Sequence, residues 1–446
     1  MKQAKIYYAA IDDTWTKEQK LAYLEKLEHT GNVEWQEITP DKNHNWLTES
    51  LKDDFYNFIP IGTKEFKKQK HQNPPVIFKV FSLGVTSNRD EWVFSFCKYN
   101  LEGKVQIFIQ NYTLELNRYF QQPTKPELES FINTDSSFIK WTDRVKLALK
   151  QKQFILFDKS QIRNCFYRPF VQQYIYFDQL LNQRRYQQHI IFPTPETEAE
   201  NRVICLTGSG SEKPFMIFIC NQICDLHLVG GGCGTQCFPF YTYKEDGTNR
   251  QENITDWALS TYRHHYQDTT ITKWDIFYYI YAVLHHPHYR ERYAANLKKE
   301  LPRIPYAPDF HPFVTAGKRL AEIHINYEKQ PQYRLKHLEN KDLPIDWLVE
   351  KMRLSKDKTQ IKYNDFLTLS GIPPEVFNYR LGNRSALDWI IDQYQVKTDK
   401  LSGITNDPNR LDDEQYIVRL VKQIITVSLE TVKIVEELPD LGLPND

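Results

Sequence analysis

The pattern of hydrophobic and polar residues along the chain predicts a β-rich first part and a helical second part. Between about residues 75 and 245, short runs of β-branched and aromatic residues alternate with polar turns, which is typical of strands. These runs are IFKVFSLGV, EWVFSFCKY, VQIFI, FILF, YIYF, VICL, FMIFIC and FPFYTY. After Asn253 the apolar residues recur at helical spacing, and residues 274–286 are apolar almost all round, which indicates a central helix.

These changes of pattern predict an α+β protein with three segments. Residues 1–58 contain a strand, a helix with apolar residues at Leu21, Leu24 and Leu27, and a second strand, which together predict a short α/β segment. Residues 59–252 form the predicted β-rich domain, with one helix near residues 125–151. Residues 253–446 form the predicted helical domain, with further helices near residues 287–301, 309–323, 345–352, 374–379, 387–394 and 413–437.

The charge balance and the cysteine count narrow the function classes. The 446 residues contain 57 Lys and Arg and 57 Asp and Glu, so no net charge attracts an anionic partner. Nucleic-acid binding would therefore need a local basic patch. No apolar run approaches the about 20 residues of a membrane helix. The odd number of seven cysteines, with no apolar signal core near residue 1, indicates a reducing, cytoplasmic location.

Four of the cysteines have a spacing that resembles a zinc site. They flank His227 and are Cys220, Cys224, Cys233 and Cys237. Zinc ligands often come as such pairs, although a separation of two residues within a pair is commoner than three. Cysteines on one face of a sheet are also common as small hydrophobic residues. The sequence leaves both interpretations open, and we assign no metal ligand from it.

No catalytic residue can be assigned from the motifs. Asn73-Pro74-Pro75 resembles the Asn-Pro-Pro-aromatic turn of amino-methyltransferases, but Val76 occupies the aromatic position, and a Lys-rich run (Lys64 to Lys70) precedes it. The glycines at 230–232 lack the strand before and the helix after them that a nucleotide loop requires, so a hairpin turn is favoured. The sequence contains no recognisable Ser-His-Asp elbow, phosphate loop or carboxylate dyad.

The segment from Phe166 to Arg185 carries the strongest candidate for a binding surface. Tyr174 and Tyr176 alternate as in a half-buried strand, and the segment ends in the polar run Asn182-Gln183-Arg184-Arg185. Guanidinium and amide side chains can bridge phosphates or form paired hydrogen bonds with base edges. A solvated hairpin is the alternative interpretation of the same residues.

Several strings, in order along nearly the whole chain, carry a resemblance to a known family. They are Thr86–Trp92 (TSNRDEW), Tyr167–Phe170 (YRPF), Tyr174–Asp178 (YIYFD), Cys237–Tyr241 (CFPFY), Tyr279–His285 (YIYAVLH), Pro302–Pro305 (PRIP), Tyr379–Leu387 (YRLGNRSAL) and Ser402–Asn409 (SGITNDPN). They resemble the C-terminal target-recognition, or specificity, region of type ISP restriction-modification enzymes. Those enzymes join nuclease, ATPase, adenine-specific DNA methyltransferase and target-recognition segments in one chain.

The resemblance implies that residues 1 to about 55 are the end of a methyltransferase domain and that the remainder recognises DNA. The family's S-adenosylmethionine loop and catalytic Asn-Pro-Pro-Tyr motif would then precede residue 1. We therefore expect no cofactor in this chain, and S-adenosylmethionine in an upstream or partner methyltransferase domain. The expected partners are double-stranded DNA and a methyltransferase or nuclease domain or chain. As an isolated chain, it is expected to be either a fragment or a separate specificity subunit.

The resemblance also gives a role to the polar residues of the candidate surface. Guanidinium groups would contact guanine and amide groups would contact adenine in the major groove. The expected DNA-binding residues are Asn88, Arg89, Arg168, Gln172, Gln173, Asn182, Gln183, Arg184 and Arg185. For Asn88-Arg89-Asp90 an internal, salt-bridged turn is an equal alternative. Two other functions remain open: a divergent S-adenosylmethionine-dependent DNA methyltransferase with its own active site, and a non-catalytic protein-interaction scaffold.

Overall fold

The computed structural model describes residues 4–11, 15, 17–40, 46, 51–63 and 75–444. The basic run from Lys64 to Lys70 and the Asn73-Pro74 pair lie outside these described residues. The chain forms two compact units, Met1–Asp53 and Asp54–Asp446. In the described part of the first unit, two antiparallel strands, in which Ile6 pairs with Ile38, accompany the α-helix Lys17–Leu27. This agrees with the predicted order of strand, helix and strand, although the second strand was predicted at Val33–Trp35 and lies at Gln36–Ile38.

Fourteen α-helices are present among the described residues. They are α1 Lys17–Leu27, α2 Asp90–Val93, α3 Lys98–Phe120, α4 Leu128–Phe131, α5 Asp143–Lys150, α6 Gln188–Ile191, α7 Pro195–Glu200, α8 Asp256–Tyr266, α9 Lys273–Val283, α10 Pro287–Arg292, α11 Ala294–Lys299, α12 Phe310–Ile325, α13 Ala386–Gln393 and α14 Tyr416–Glu436. Several begin at residues that satisfy exposed backbone N–H groups. Thr272 and Asp275 form a capping box at α9, Ser385 and Asp388 do so at α13, and Asp309 accepts from His311 N at α12.

The strands are short and mostly antiparallel. They are β1 Ile6–Tyr8, β2 Gln36–Ile38, β3 Ile59–Pro60, β4 Ser82–Leu83, β5 Phe94–Ser95, β6 Ile162–Arg168, β7 Val171–Tyr176, β8 Val203–Thr207, β9 Ile217–Cys220, β10 Ile223–Cys224, β11 Thr235–Pro239, β12 Tyr241–Thr242, β13 Gln251–Glu252, β14 Arg303–Ile304, β15 Lys336–Glu339, β16 Arg353–Leu354, β17 Gln360–Lys362, β18 Leu367–Ser370, β19 Arg380–Leu381, β20 Arg384–Ser385, β21 Lys397–Thr398 and β22 Thr405–Asn406. The larger sheets have the strand orders β4-β11-β8-β9, β10-β6-β7-β5 and β15-β18-β17-β16.

The sheet β4-β11-β8-β9, called the central sheet below, is buried on both faces. Successive side chains of a strand point to opposite faces, and here the two faces belong to two different hydrophobic cores. Along β8, Val203 and Cys205 pack into the first core, whereas Ile204 and Leu206 pack into the second. This explains why VICL and FMIFIC are continuous apolar runs, because a strand covered on both faces needs no polar side chains.

Both cores contain residues from before and after residue 252. The first core reaches from Val85 to Val427, and the second reaches from Phe55 to Leu443. In the second core α9 packs closely on α12, and a Cβ atom at Gly317 would lie 1.9 Å from the Tyr278 carbonyl oxygen. The change of pattern near residue 253 is thus a change of secondary structure within one compact unit. The division into a β-rich DNA target-recognition domain (residues 59–252) and a helical domain (residues 253–446) stays a prediction.

The predicted mixture of α-helices and β-strands is confirmed, while individual elements differ. The run VQIFI, predicted as a strand, lies inside α3, where Val105, Phe108, Ile109 and Tyr112 are buried at helical spacing. The run FILF contains no strand, and residues 345–352 contain no helix. Residues 98–120 were given no helix because a five-residue apolar run fits either structure.

Candidate functional site

A ladder of backbone hydrogen bonds joins the segments that carry the candidate residues. Strand β6 pairs with β7 on one side and with β10 on the other. The ladder continues beyond β10, where Val85 N donates to Cys224 O at 2.8 Å and Leu226 N donates to Val85 O at 2.7 Å. Next, Thr86 and Arg184 exchange two hydrogen bonds of 2.9 and 3.0 Å. Segments that are far apart in sequence therefore meet along one edge.

Gly84 permits the close approach in this ladder. A Cβ atom at this position would lie 2.4 Å from the carbonyl oxygen of Asp225 and 2.7 Å from that of Cys224. Real Cβ atoms do not come so close to backbone oxygen atoms, so only glycine lets residues 82–86 lie against residues 224–226.

Two of the candidate residues, Asn88 and Arg184, are exposed, and both contact Thr86 on this edge. We call them the tip pair. Thr86 connects them, because its backbone pairs with Arg184 and its hydroxyl donates to Asn88 Oδ1 at 3.0 Å. Asn88 has a positive φ of 56°, which asparagine tolerates better than most residues. The tip pair thus presents an amide and a guanidinium from two separate loops on one surface.

Arg185 and Asn182, by contrast, are held by the protein. The Arg185 guanidinium donates to Glu245 at 3.1 Å, lies 5.3 Å from the Phe177 ring centroid, and leaves its side chain 16% exposed. Asn182 is fully buried, and its Nδ2 donates to the carbonyl oxygens of Tyr176 at 2.7 Å and Asp178 at 2.9 Å. Asn182 therefore locks the turn after β7, and its side chain does not reach the protein surface.

Arg89 is also fully buried, as in the internal turn that was the alternative for Asn88-Arg89-Asp90. Its guanidinium donates to Thr142 Oγ1 and lies 4.8 Å from the Phe108 ring centroid. Burial lowers the pKa of Arg89 to about 9. The internal turn is also held by a hydrogen bond from Ser87 Oγ to Asp90 Oδ1. Gln183 is half-buried, and its Oε1 is buried without a hydrogen-bond partner.

Arg168 belongs to a buried network of charged groups. Its Nη1 donates to Asp225 Oδ1 at 3.1 Å, its guanidinium stacks 4.0 Å from the Tyr167 ring centroid, and its side chain is 15% exposed. Tyr167 in turn donates to Asp90 Oδ2 at 2.9 Å. Burial raises the pKa of Asp225 to about 7, against the opposing effect of the Arg168 charge. The network fixes Arg168 at the end of β6 rather than leaving it extended into solvent.

The two glutamines of β7 make contacts within the protein. Gln172 is half-buried and accepts from Gln222 Nε2 at 3.4 Å. Gln173 is buried and accepts from Asn406 Nδ2 at 3.1 Å, which ties β7 to β22. Beside this contact lies a cavity of about 340 Å³, lined by Asp90, Glu91, Phe94, Phe96, Tyr167, Gln173, Gln393, Gln395, Lys397, Thr398, Asp399, Ile404 and Asn406. Both acidic and basic side chains therefore line this cavity.

A group of basic residues near Arg168 was missed by the sequence analysis. Lys351 and Lys397 are exposed, and Arg384 pairs with Asp392 at 2.7 Å while its side chain stays 39% exposed. We call these three residues the basic cluster. Desolvation and the positive charges of Arg168, Arg384 and Lys351 lower the pKa of Lys397, against the opposing effect of the Asp392 charge. Lys351 and Arg384 line one cavity together with Asp392. No local sequence signal marks the basic cluster, because its three residues are spread over residues 351–397.

The cysteines group differently from the set considered in the sequence analysis. Cys205 joins Cys220, Cys224 and Cys237, whereas the Cys233 thiol lies near the Gly234 carbonyl oxygen at 3.8 Å.

No helix within the described residues is both long and apolar enough to cross a membrane.

A family model described as the Type ISP C-terminal specificity domain matches residues 76–420. No curated protein matches the sequence. Among solved structures, the chain resembles a nuclease-deletion mutant of the Type ISP restriction-modification enzyme LlaGI in complex with a DNA substrate mimic. The two are 33% identical with a TM-score of 0.85, and the match covers 99% of this chain and 40% of that one.

Two further structures have similar folds. A cryoEM structure of a DrdV–DNA complex is 35% identical with a TM-score of 0.86, and the match covers 98% of this chain and 44% of that one. The ATP-dependent Type ISP restriction-modification enzyme LlaBIII, bound to DNA, is 28% identical with a TM-score of 0.83. That match covers 99% of this chain and 28% of that one. This chain therefore spans less than half the length of each of the three proteins.

Proposed function

Because this chain belongs to the family of Type ISP C-terminal specificity domains, we propose that it recognises a specific sequence in double-stranded DNA. The observation that carries the proposal is the tip pair, in which the exposed residues Asn88 and Arg184 both contact Thr86. An arginine can form two hydrogen bonds with guanine, and an asparagine can do so with adenine, both in the major groove. The three similar structures, each of a DNA complex, support the same function.

The tip pair is the part of the surface that distinguishes bases in this proposal. Of the nine residues expected from the sequence, we retain Asn88 and Arg184 as base contacts, together with the half-buried Gln172 and Gln183. Buried residues cannot reach a base edge without rearrangement, so Arg89, Asn182 and Gln173 are omitted from the contact set. Arg168 and Arg185 support the surface through their ion pairs with Asp225 and Glu245.

The basic cluster contacts the DNA backbone in this proposal. Phosphate contacts fix the position of a protein on the duplex but carry no sequence information. Lys351, Arg384 and Lys397 supply three positive charges near Arg168, which the Thr86–Arg184 ladder connects to the tip pair. The basic cluster thus supplies the local positive charge that DNA binding requires in a chain whose net charge is zero.

The proposal extends to the proteins that act with this chain. Methyl transfer to adenine and DNA cleavage would be carried out by methyltransferase and nuclease domains, upstream or in a partner chain, and S-adenosylmethionine would bind there. We also propose a cytoplasmic location, which is supported by the seven free cysteines of the chain. This chain could be a separately encoded specificity subunit or a fragment of a longer enzyme, because both arrangements place recognition in this chain and methylation and cleavage in other domains.

Selection from a library of randomised duplexes tests the proposal directly. The wild-type chain should enrich one sequence motif, and a single mismatch in that motif should weaken binding by about 5- to 150-fold, which corresponds to about 1–3 kcal/mol per base pair. Recovery of unbiased sequences after repeated rounds would contradict the proposal. Calorimetry with S-adenosylmethionine separates it from the methyltransferase alternative, because no binding to this chain is expected.

Variants of the tip pair then test which residues distinguish bases. Arg184→Ala and Asn88→Ala should each relax the preference at one position of the selected motif, with a loss of about 1–3 kcal/mol of discrimination. Arg185→Ala tests the neighbouring arginine, and Arg319→Ala, which removes an exposed charge on α12, serves as the charge-matched control. If Arg184→Ala and Asn88→Ala remain folded and select the wild-type motif, the tip pair is only a solvated loop contact.

A further inference from the structure

Four buried thiols lie together where the central sheet meets the sheet β10-β6-β7-β5. Their Sγ atoms surround that of Cys205, which lies 3.5 Å from Cys220 and 3.8 Å from both Cys224 and Cys237. The thiol groups of Cys205, Cys224 and Cys237 all lie within 4.8 Å of one another. We call the four residues the thiol cluster: Cys205, Cys220, Cys224 and Cys237.

The strand pairing explains how the thiols converge. Cys205 on β8 lies directly opposite Cys237 on β11, and Cys220 at the end of β9 pairs with Val203, two residues before Cys205 on the same face. These three thiols therefore share the face of the central sheet that belongs to the first core. Cys224 comes from β10 of the other sheet, so the thiol cluster spans both sheets.

The spacing of the Cys205, Cys224 and Cys237 sulfur atoms is close to that of a tetrahedral metal site. With Zn–S bonds of about 2.3 Å, the sulfur atoms of a Cys₄ zinc site lie about 3.8 Å apart. Cys205 lies 3.8 Å from both Cys224 and Cys237, whereas Cys220 lies 3.5 Å from Cys205 but outside the group of three, so it would have to move inward to become the fourth ligand. Cys220 and Cys224 are separated by three residues, which falls within the usual spacing of paired zinc ligands.

The surroundings of the thiol cluster suit thiolate ligands. Four thiolates around a zinc ion leave a net negative charge, which needs donors or positive charges nearby. The guanidinium group of Arg202 acts electrostatically on Cys220. All four thiols are buried, so a bound ion would be shielded from solvent.

We propose that the thiol cluster binds a structural zinc ion that joins the two sheets. A zinc ion held by four protein ligands has no open position for a substrate, so its role is in folding rather than in catalysis. The ion would hold β10 against the central sheet and thereby fix the ladder that positions Gly84, Thr86 and Arg184. Zinc binding is independent of the proposed DNA recognition and can be measured without DNA.

Metal content is the decisive measurement. We expect the full chain, purified without added zinc or chelator from medium that contains zinc, to hold about one zinc ion per chain by mass spectrometry. Refolding with Co²⁺ should give the absorption bands of a tetrahedral cobalt–thiolate site. Packed thiols without a metal would have similar sulfur separations, so less than about 0.1 zinc per chain, with no rise in Tm on adding zinc, would overturn the proposal. Iron in place of zinc would overturn the choice of metal.

Variants identify the ligands. Cys224→Ser and Cys237→Ser should reduce the zinc content from about one to below about 0.2 ion per chain. Cys233→Ser is the matched control, because Cys233 is buried nearby but lies outside the thiol cluster, and it should retain the metal. If the ligand variants fail to fold, unfolding the wild-type chain in guanidinium with a zinc-sensitive dye gives the same answer. Release of about one equivalent supports the proposal, and release of none overturns it.

Discussion

Gly84 and Asp225 lie so close that a Cβ atom at residue 84 would come within 2.4 Å of the Asp225 carbonyl oxygen. We therefore expect Gly84→Ala to force the two backbone segments apart and to lower the free energy of unfolding by about 1–3 kcal/mol, the usual cost of overpacking. Because residues 85 and 86 continue the ladder to Arg184, the same variant should also weaken DNA binding. Thermal or urea denaturation measures the first effect, and a duplex titration measures the second.

Gly103→Ala is the matched control for this glycine substitution. Gly103 is exposed in the middle of α3, and a Cβ atom there would meet nothing within 4 Å. Alanine is favoured over glycine inside a helix by about 0.5–1 kcal/mol, so this variant should be stabilised. If Gly84→Ala proves as stable as Gly103→Ala, the close approach of residues 84 and 225 is wrong.

Lys397→Ala tests the basic cluster as a phosphate-binding surface. The variant should weaken binding to all duplexes by a similar factor, because a phosphate contact carries no sequence information. It should also reduce the slope of log K against log salt concentration by about one. Titrations of a selected and a scrambled duplex at several salt concentrations provide the measurement.

The control for this experiment is Lys318→Ala, which removes an exposed lysine of α12 that pairs with Asp275 at 2.9 Å. Its salt slope should equal that of the wild-type chain. A change of base preference in Lys397→Ala, with an unchanged salt slope, would assign Lys397 to base recognition and contradict the proposed phosphate contact.

Asn182→Ala distinguishes a buried turn residue from a base-reading one. The substitution leaves the carbonyl oxygens of Tyr176 and Asp178 without the Asn182 donor, and we expect a loss of about 1–3 kcal/mol in the free energy of unfolding. The selected DNA motif should be unchanged at temperatures where the variant is folded. The control is Gln179→Ala, an exposed position in the same turn, which should be neutral. An unchanged Tm together with relaxed specificity would indicate that Asn182 contacts a base and is not a buried turn residue.

Asp54 gives a prediction about pH. Arg292 and Tyr293 hydrogen-bond to its carboxylate and, against the effect of burial, hold its pKa below the usual 3.8. A lowered carboxyl pKa contributes stability above the unfolded value of about 3.9, and this contribution is lost as the pH falls through the folded value. Asp54→Asn should therefore cost about 1 kcal/mol at pH 7, and the difference from the wild-type chain should shrink below about pH 4.

The exposed neighbour Asp53 provides the control, since Asp53→Asn should leave the free energy of unfolding unchanged across the same pH range. Urea denaturation at a series of pH values measures both variants. A difference between Asp54→Asn and the wild-type chain that is constant from pH 7 to pH 3 would show that the carboxylate charge is not what stabilises this contact.

Local signals in the sequence were sufficient for much of the secondary structure. Strand β8 and helix α9 occur where the apolar pattern predicts them, and α12, capped by Asp309, begins where a helix was predicted near residues 309–323. Short apolar runs were less informative, because the five residues of VQIFI fit a strand or one turn of a helix. The neighbouring buried positions Leu101 and Tyr112 show the helical repeat only over a longer window.

The candidate surface was harder to predict than the fold. A polar side chain has the same chemistry whether it points into the protein or into solvent, so the sequence placed Arg89 and Asn182 with Arg184. The meeting of Thr86 with Arg184 depends on backbone pairing between distant segments, and so does the basic cluster. No local sequence pattern predicts such pairings. The resemblance to a family therefore indicated the function but not the residues that contact DNA.

The central sheet has a consequence for engineering new specificities. Both of its faces are covered by side chains that include the last helix and the segment after it, up to Leu443. A fragment that ends near residue 252 would expose two apolar faces to water, and such surfaces promote aggregation. Grafting the recognition surface onto a related enzyme should therefore require the complete segment from Asp54 to the C-terminal residues, and newly made chains should reach their folded state only after most of the sequence has left the ribosome.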